Sequence, residues 1–285
     1  MSTALRIALG PFGRVALLDM DRPLVRHAHS QCHVLLKVEG HDSQFDVAGR
    51  KVDLTEESAV LINAWENHSY THRPGQPPTV ILALYIEPEW LSGFRSNWQA
   101  SAAPGFFPLP GGAITPQMRN QAREIAEAMI QDPGDAAGHE ALIGRLMIST
   151  LERMALWREP YPSIRNMAGR VGLPDRRISR ALRVIREDPG AVPSMDWLSR
   201  ESGLSRAHFF RLFEAGTGVS PRVYLNMVRL ERAVAAVANE DRSFAAISHD
   251  LGFSVPAHFS RFFHDHAGSA PSTFRAVAGL RTASF

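Results

Sequence analysis

The chain contains 285 residues, 45% of them apolar, and its formal net charge is +2. A chain of this length has room for two domains of about 150 residues each, and its apolar content is ordinary for a protein that buries real cores. The sequence has no run of 18 or more apolar residues, which excludes a conventional transmembrane helix. We therefore expect no membrane partner.

The N-terminal stretch and the cysteine content indicate a cytoplasmic protein. The opening residues, MSTALRIALGPFGRVALLDMDRP, are interrupted by Arg, Gly and Pro before an apolar core forms, unlike a signal peptide. Cys32 is the single cysteine and cannot form an intrachain disulfide, which fits a reducing compartment. We expect the protein to stay in the cytoplasm.

The two halves of the chain carry opposite net charge. Residues 1–159 hold 14 Lys or Arg against 18 Asp or Glu, whereas residues 160–285 hold 17 against 11. The second half contains arginine but no lysine. The forked guanidinium of arginine can form paired hydrogen bonds with phosphate and with guanine. Genomic base composition can also favour arginine over lysine. The asymmetry still indicates different partners for the two halves.

Residues 12–87 have the pattern of a small β domain. The apolar runs RVALL, HVLLKV, SAVLINAW and TVILALYI are separated by turn signals at Gly40, Gly49 and RPGQPP. Several short strands at this spacing predict a barrel or a sandwich. The stretch SAAPGFFPLPGG, rich in Gly and Pro, then predicts a connector.

Two helices are predicted after this connector, at about residues 116–131 and 139–158. Thr115 is placed to cap the first of them, with Pro116 at its first helical position. Apolar residues recur at helical spacing in both helices: Met118, Ala122, Ile125 and Met129, then Ile143, Met147, Leu151 and Met154. Such stripes either cover the barrel or form a seam between two chains. These helices complete a first domain, residues 1–158.

A repeated segment marks the C-terminal part of the chain. Residues 205–221, SRAHFFRLFEAGTGVSP, return fifty residues later within SVPAHFSRFFHDHAGSAP, residues 254–271. This similarity suggests one structural unit that is used twice. We expect a linker at residues 159–180 and an all-α domain at residues 181–285.

Each copy has the sequence of a helix-turn-helix unit. In the first copy Gly203 breaks a short helix and Ser205 caps the next one; in the second copy Gly252 and Ser254 have these roles. Between the copies, SPRVYLNMVRLERAVAAVANE predicts a single helix of about 17 residues, which rises roughly 25 Å. Such a spacer can hold two reading helices on one face of DNA.

The second helix of each unit has an apolar face and an exposed face. Phe209, Leu212 and Phe213 lie three and four residues apart and predict the buried side. Opposite them, Arg211 and, in the second copy, Arg261 occupy matching places, where each could fork onto a guanine. A contact with phosphate or with an acidic side chain is the alternative for each arginine. Phe210, on the same face, could contact a thymine methyl or pack against a neighbouring helix. Two arginines at the same exposed place favour DNA binding.

Between Pro189 and Arg275 the sequence carries two sets of specific motifs, GLS…FRLF…TGVSP…YLNMVRLERA and IS…LGF…FSRFF…G…P…FR. With them the chain resembles the AraC/XylS family of bacterial transcription regulators. The resemblance implies two helix-turn-helix subdomains that are bridged by one long helix and bind double-stranded DNA. The positions that it assigns to base contacts lie on the exposed faces of both recognition helices: Arg206, Ala207, Phe210, Arg211, Val255, Pro256, Ala257, Ser260 and Arg261.

The N-terminal half carries VRHAHSQCHVLLKVEG, the hairpin DVAGRKVDL and VLINAWENHSYTH, and resembles the cupin-like sensor domain that accompanies this module. The resemblance implies a barrel that binds a small effector and adjoining helices that form a homodimer. The expected fold class is α+β multidomain, with an N-terminal cupin-like β-barrel, covering helices and a C-terminal all-α tandem helix-turn-helix domain. RNA polymerase is a further candidate partner.

Histidines are the candidate ligands inside the barrel. His27, His29 and His33 share parity, so on one strand all three would point the same way, and His68 follows a later strand. Together with Trp65 they are the candidate effector-binding residues. The four imidazoles could instead ligate zinc, iron or nickel, or be ordinary barrel histidines. We expect no resident cofactor, and the four-histidine metal site is the alternative.

These expectations favour a ligand-responsive transcription regulator without catalytic residues. One alternative is a metal-dependent cupin enzyme with an attached DNA-binding module, which metal analysis would distinguish. Another is an effector-independent DNA-binding regulator whose barrel serves only for assembly. A ligand that binds only the native fold should raise the stability of the effector-controlled protein.

Overall fold

The computed structural model describes residues 2–73, 75–103, 105–155 and 175–278. Contacts between Cα atoms group residues 2–155 with 263–278 as one unit and residues 175–262 as another. Most of the expected linker lies outside the described residues. Its last part differs from the expectation, because a helix already begins at Arg176.

The first unit is built around two antiparallel sheets. Its strands are β1 (Thr3–Gly10), β2 (Gly13–Met20), β3 (Cys32–Gly40), β4 (Ser43–Val47), β5 (Arg50–Leu54), β6 (Ser58–Ile62), β7 (His68–Thr71), β8 (Thr79–Ile86) and β9 (Gly111–Ala113). The larger sheet has the order β1-β2-β8-β3-β6-β9, and the smaller sheet has the order β5-β4-β7. The predicted apolar runs fall on β2, β3, β6 and β8, where nearly continuous burial replaces simple alternation.

The β4–β5 hairpin follows the sequence prediction, whereas strand β1 was not predicted. The hairpin DVAGRKVDL forms β4 and β5, with left-handed backbone at Ala48 (φ 50°) and Gly49 (φ 82°). Two successive residues with positive φ give the type of turn that suits the twist of a two-residue hairpin. Strand β1 begins before the expected β region and pairs only with β2, at the edge of the sheet.

Helices cover this β region. They are α1 (Pro88–Phe94), a 3-10 turn (Ser96–Ala102), α2 (Pro116–Gln131) and α3 (Ala136–Met154). The predicted cap is confirmed, since the Thr115 hydroxyl accepts a hydrogen bond from Met118 N at 3.2 Å. Helix α3 begins three residues before the expected position, where Asp135 caps it.

The apolar stripes of α2 and α3 are buried within the chain itself. All eight stripe residues belong to one core cluster with side chains of β2, β3 and β8. The helices therefore cover the sheet, and these stripes are not available as a seam between two chains. Burial of such a stripe against a sheet is what stabilises most helices in proteins.

The C-terminal region contains α4 (Arg176–Glu187), α5 (Met195–Glu201), α6 (Arg206–Thr217), α7 (Pro221–Asn239), α8 (Phe244–Asp250), α9 (Pro256–Ala267) and α10 (Pro271–Ala278). The predicted long connecting helix is α7, whose 19 residues rise roughly 28 Å. Its buried side includes Tyr224, Met227, Leu230 and Val237.

The end of the chain does not group as the expected domain of residues 181–285. Within the first unit, α10 contacts β1, and Phe263 packs edge to face on Phe274 with ring centroids 5.2 Å apart. Among the described residues, no helix is both long and apolar enough to cross a membrane.

Candidate functional site

The turn between α5 and α6 is set by a cap and a glycine. The Ser194 hydroxyl accepts from Trp197 N at 3.1 Å and starts α5. Gly203 has φ 67°, a left-handed conformation that glycine adopts without steric cost. Leu204 is buried and its N–H donates to Ser199 O at 3.0 Å, which closes the turn. The predicted break at Gly203 is confirmed.

Helix α6 presents one face to the core and one to solvent. Ser205 caps it, as predicted, by accepting from His208 N at 3.4 Å. Phe209 and Phe213 are completely buried and their rings lie 5.5 Å apart. Leu212, the third residue of the predicted apolar side, is only half-buried. The helix ends at Gly218, whose φ is 78°.

The predicted contact residues of α6 differ in what they already touch. Arg206, Ala207 and Arg211 are exposed, and Phe210 is half-buried. Arg206 donates from Nη1 to Asp196 Oδ1 at 2.7 Å, and its guanidinium lies 5.5 Å from the centre of the Phe210 ring. Arg211 has no ion pair with any residue that the structure describes.

The second helix-turn-helix copy contains one extra residue in its turn. Helix α8 follows α5 by 49 positions, whereas α9 follows α6 by 50. Phe253 N donates to Ser248 O at 3.0 Å, and Leu204 donates to Ser199 in the same way in the first copy. The inserted residue moves the start of α9 to Pro256, and His258 N donates to Val255 O at 2.9 Å. The prediction of Ser254 as the cap is therefore wrong.

The exposed face of α9 carries all the residues that were predicted for it. Phe259 and Phe263 are completely buried on the opposite side. The five predicted residues are all exposed: Val255, Pro256, Ala257, Ser260 and Arg261. Val255 is one of the large apolar side chains that stay exposed, at 44%. Small side chains with one arginine make a face that can approach base edges in a major groove.

The four candidate histidines of the barrel come together, but not on one strand. His33 lies on β3, and His68, which follows the strand β6 as predicted, is the first residue of β7. His27 pairs with His68 through two backbone hydrogen bonds of 2.9 and 2.8 Å, and His29 lies in the irregular segment that follows. The single-strand prediction is wrong because the chain bends before β3 begins at Cys32.

The imidazole rings lie close together, and all four side chains are buried. Ring centroids are 4.8 Å apart for His27 and His29, 4.3 Å for His27 and His68, and 5.2 Å for His29 and His68. The His33 ring stacks on His29 at 5.5 Å and lies 5.5 Å from His68. We call these four residues the histidine cluster.

Backbone carbonyls orient two rings of the histidine cluster. His27 Nδ1 lies 2.6 Å from Val25 O, and His68 Nδ1 lies 3.0 Å from Glu66 O. A carbonyl oxygen only accepts, so each Nδ1 carries the proton and each Nε2 of the neutral ring keeps a free electron pair. His68 Nε2, His29 Nε2 and both nitrogens of His33 are buried without a hydrogen-bond partner among the described residues.

The cluster is held in the neutral form. Burial lowers the pKa of His27, His29 and His33 well below that of a free imidazole, and neighbouring imidazoles and Arg14 lower it further. Burial lowers the pKa of His68 to about 4. Neutral imidazole is the form that can bind a metal or accept a hydrogen bond.

Two side chains that the sequence patterns do not predict, Tyr85 and Arg14, lie on neighbouring strands beside the histidine cluster. Tyr85 on β8 lies opposite His33 on β3 and opposite Arg14 on β2. The Tyr85 ring meets His33 edge to face at 4.0 Å, and the Arg14 guanidinium lies 3.8 Å from the ring centre. Only the register of three strands, separated by tens of residues, places these side chains side by side.

The backbone of Trp65 contacts the segment that carries His29. A further histidine, His266, lies near the histidine cluster. Trp65 has φ 67° and its N–H donates to His29 O at 2.7 Å, which ties down the segment that carries His29. The Tyr70 ring packs on Phe45 with ring centroids 5.2 Å apart. His266, near the end of α9, has its ring centroid 6.1 Å from that of His27.

Comparison with known proteins identifies both regions. Residues 20–147 match the family model of the AraC-like ligand binding domain, and residues 198–276 match that of a helix-turn-helix domain. The HTH-type transcriptional activator RhaR of Salmonella arizonae is 28% identical over 260 residues, which cover 87% of this chain and 86% of RhaR.

Other relatives match a shorter part of the chain. An HTH-type transcriptional regulator of Haemophilus influenzae is 32% identical over 108 residues, and the Msm operon regulatory protein of Streptococcus mutans is 29% identical over 98 residues. These alignments cover 38% and 34% of this chain and 36% and 35% of the relatives, so the chain matches about a third of each.

Solved structures share the fold over nearly the whole chain. Apo ToxT of Vibrio cholerae has a TM-score of 0.55 at 13% identity and covers 96% of this chain and 100% of its own. ToxT bound to an unsaturated fatty acid has a TM-score of 0.51 at 13% identity, with 94% and 96% coverage. With a cupin-like sheet domain that matches the ligand-binding model and a helical region that matches the helix-turn-helix model, the chain belongs to the AraC/XylS family of DNA-binding transcription regulators.

Proposed function

We propose that the protein reads double-stranded DNA with the exposed faces of α6 and α9 and that a small ligand at the histidine cluster controls this binding. The ligand would have to bind one state of the protein more tightly than another, since only differential affinity shifts a conformational equilibrium. The barrel then acts as a sensor and the helix-turn-helix units as the output.

The observation that carries this proposal is the equivalence of Arg211 and Arg261. Both are exposed, fifty residues apart, on twin helices of 12 residues whose opposite faces are buried phenylalanines. Within the described part of the chain neither side chain has an ion-pair partner. A guanidinium in this place is free to fork onto guanine O6 and N7.

The remaining partners follow from this function. A homodimer would have to use faces other than the buried stripes of α2 and α3; Ile130 on α2, 49% exposed, lies outside its stripe. RNA polymerase is the partner through which a bound regulator would act, and the cytoplasm is where it would meet DNA. The relatives are described as regulators, which favours a regulator over an enzyme here.

Selection of genomic fragments by the purified full-length chain tests the proposal. We expect recovery of a common sequence that the chain binds more tightly than random DNA, with an affinity that falls steeply with salt as counterions are released. The double variant Arg211→Ala, Arg261→Ala should lose this preference while its circular dichroism stays unchanged. Equal binding of selected and random DNA by the wild type would overturn the proposal.

A further inference from the structure

We propose that the histidine cluster is a binding site for one divalent transition-metal ion, with His27, His29 and His68 as its ligands. The assignment of this ion as the effector rests on the proposed function, whereas the metal site itself stands on the geometry of the cluster. A ring nitrogen of each of these three histidines lies within 4.8 Å of the ring nitrogens of the other two.

The ring nitrogens lie farther apart than the ligand nitrogens of a bound metal ion, so the three rings must move closer together when the ion binds. With metal–nitrogen bonds of about 2.0–2.1 Å in a tetrahedral site, two ligand nitrogens on one ion are about 3.3–3.4 Å apart. The ring nitrogens, which lie within 4.8 Å of one another, therefore have to approach by up to about 1.4 Å. Rotation about the side-chain torsions of His29 can supply part of this movement while its backbone stays hydrogen-bonded to Trp65 N.

The orientation of the rings is already that of ligands. The carbonyls of Val25 and Glu66 accept from Nδ1 of His27 and His68, so Nε2 is the nitrogen left to bind. Backbone carbonyls commonly hold metal-binding histidines in this way, fixing the tautomer and raising the basicity of the ligand nitrogen.

Some ring nitrogens of the cluster are buried without a hydrogen-bond partner among the described residues. A buried polar atom without a hydrogen bond is destabilising, and within the described part of the chain His29 Nε2 and His68 Nε2 are two such atoms. The rings are 4.3–5.2 Å apart, close to the separation of aromatic rings in contact. A single ion or water molecule is small enough to partner both nitrogens at once.

The ligand set selects the class of metal. Three imidazoles offer nitrogen only, which suits Zn²⁺, Cu²⁺, Ni²⁺, Co²⁺ or Fe²⁺ and disfavours the oxygen-seeking Mg²⁺ and Ca²⁺. The Arg14 guanidinium lies on the Tyr85 ring beside the cluster and opposes a bound cation. His33, 5.5 Å from both His29 and His68, flanks the set.

Metal binding is measured directly on the purified full-length chain, freed of metal with a chelator. We expect one Zn²⁺ per chain by elemental analysis after desalting, and one Co²⁺ that shows visible absorption of a nitrogen-bound ion. His29→Gln and His68→Gln should each weaken binding more than about 100-fold, since loss of a ligand exceeds the 10–100-fold effect of its supporting groups. Mg²⁺ should not compete.

His139→Gln is the matched control, because His139 is a buried histidine of α3 with an unpartnered Nε2 that lies outside the three-residue set. This variant should bind Zn²⁺ as the wild type does. Absence of stoichiometric Zn²⁺ and Co²⁺ on the wild type would overturn the metal site even if a histidine variant failed to fold. Equal binding by folded His29→Gln would do the same.

The role of the ion is separated from the proposed function by measuring DNA affinity with and without Zn²⁺. We expect the ion to change the affinity of the wild type for its selected DNA at least 5-fold and to leave that of His29→Gln unchanged. If Zn²⁺ binds but DNA affinity does not change, the ion is not the effector. If sequence-specific DNA binding persists without any metal binding, the metal site fails while the regulator stands.

Discussion

Arg206 on α6 donates from Nη1 to Asp196 Oδ1 on α5, across the tight turn of the first helix-turn-helix unit, at 2.7 Å. Both side chains are more than half exposed, so this ion pair adds at most about 1 kcal/mol to stability. The contact is strong enough to orient Arg206 and weak enough to be exchanged for a phosphate. The two predicted contact arginines of α6 therefore differ: Arg206 is already paired with a carboxylate, whereas Arg211 has no ion pair with a described residue.

Removal of the Asp196 charge should therefore favour DNA binding. Asp196→Asn should change the urea midpoint of unfolding little and raise DNA affinity several-fold, because it frees Arg206 and removes a carboxylate that would face phosphates. Fluorescence anisotropy at constant salt measures the affinity. Glu201→Gln, on the same helix and paired with Arg180, removes the same charge. Equal gains in the two variants would show only a net-charge effect.

The two equivalent arginines should carry sequence preference. Arg211→Ala and Arg261→Ala should each cost about 1–3 kcal/mol of specific DNA affinity, or roughly 5- to 150-fold, and relax the preference at particular base pairs. Competition between selected and random DNA measures this loss.

Arg183→Ala is the charge-matched control for these variants. Arg183 is an exposed residue of α4 that pairs with Glu187 at 4.0 Å, so its loss should weaken selected and random DNA alike. If the Arg211 and Arg261 variants behaved in that same uniform way, both side chains would be phosphate contacts.

The two turn glycines should differ in their tolerance of a side chain. A Cβ at Gly203 (φ 67°) meets nothing within 4 Å, whereas one at Gly252 (φ 76°) would lie 2.5 Å from Gly190 O. Gly203→Ala should cost only the left-handed strain of about 1–2 kcal/mol, and Gly252→Ala should cost more. The urea midpoints of unfolding of the two full-length variants measure which substitution costs more stability.

Gly93→Ala serves as the control for these variants. Gly93 lies in α1 with no atom near its Cβ, so alanine should be neutral or slightly stabilising there. A Gly203 variant as unstable as the Gly252 variant would contradict the difference between the turns.

Cys32 should be unreactive until the barrel opens. Burial raises the pKa of its thiol to about 12, and the thiolate is the reactive form. At pH 8 an alkylating reagent should label it at least about 1000-fold more slowly than a free thiol, whose pKa is about 8.5. Labelling should rise with urea along the unfolding curve, with Cys32→Ser as the blank. Rapid labelling of the native protein would show that the region around β3 opens readily.

Local sequence patterns determined the helical parts of this protein. Thr115 and Pro116 mark the start of α2, Gly203 and Gly252 mark the turns, and the fifty-residue repeat places Arg211 and Arg261 on equivalent faces. These predictions succeed because a cap, a left-handed glycine and a helical stripe each act within a few residues of the chain. Ser254 failed as a cap because one inserted residue changes the register of the turn, a difference that periodicity does not reveal.

Only the tertiary structure decided what surrounds the histidines. His27 meets His68, and His33 meets Tyr85, through antiparallel pairings between segments 41 and 52 positions apart. The register of such pairings depends on which faces of distant strands are buried together, so parity along one segment cannot predict it. The tie between Arg206 and Asp196 likewise depends on how two helices pack around a turn. The sequence by itself thus determined the two helix-turn-helix units and their exposed arginines, and long-range strand pairing decided the cluster that we propose holds the ligand.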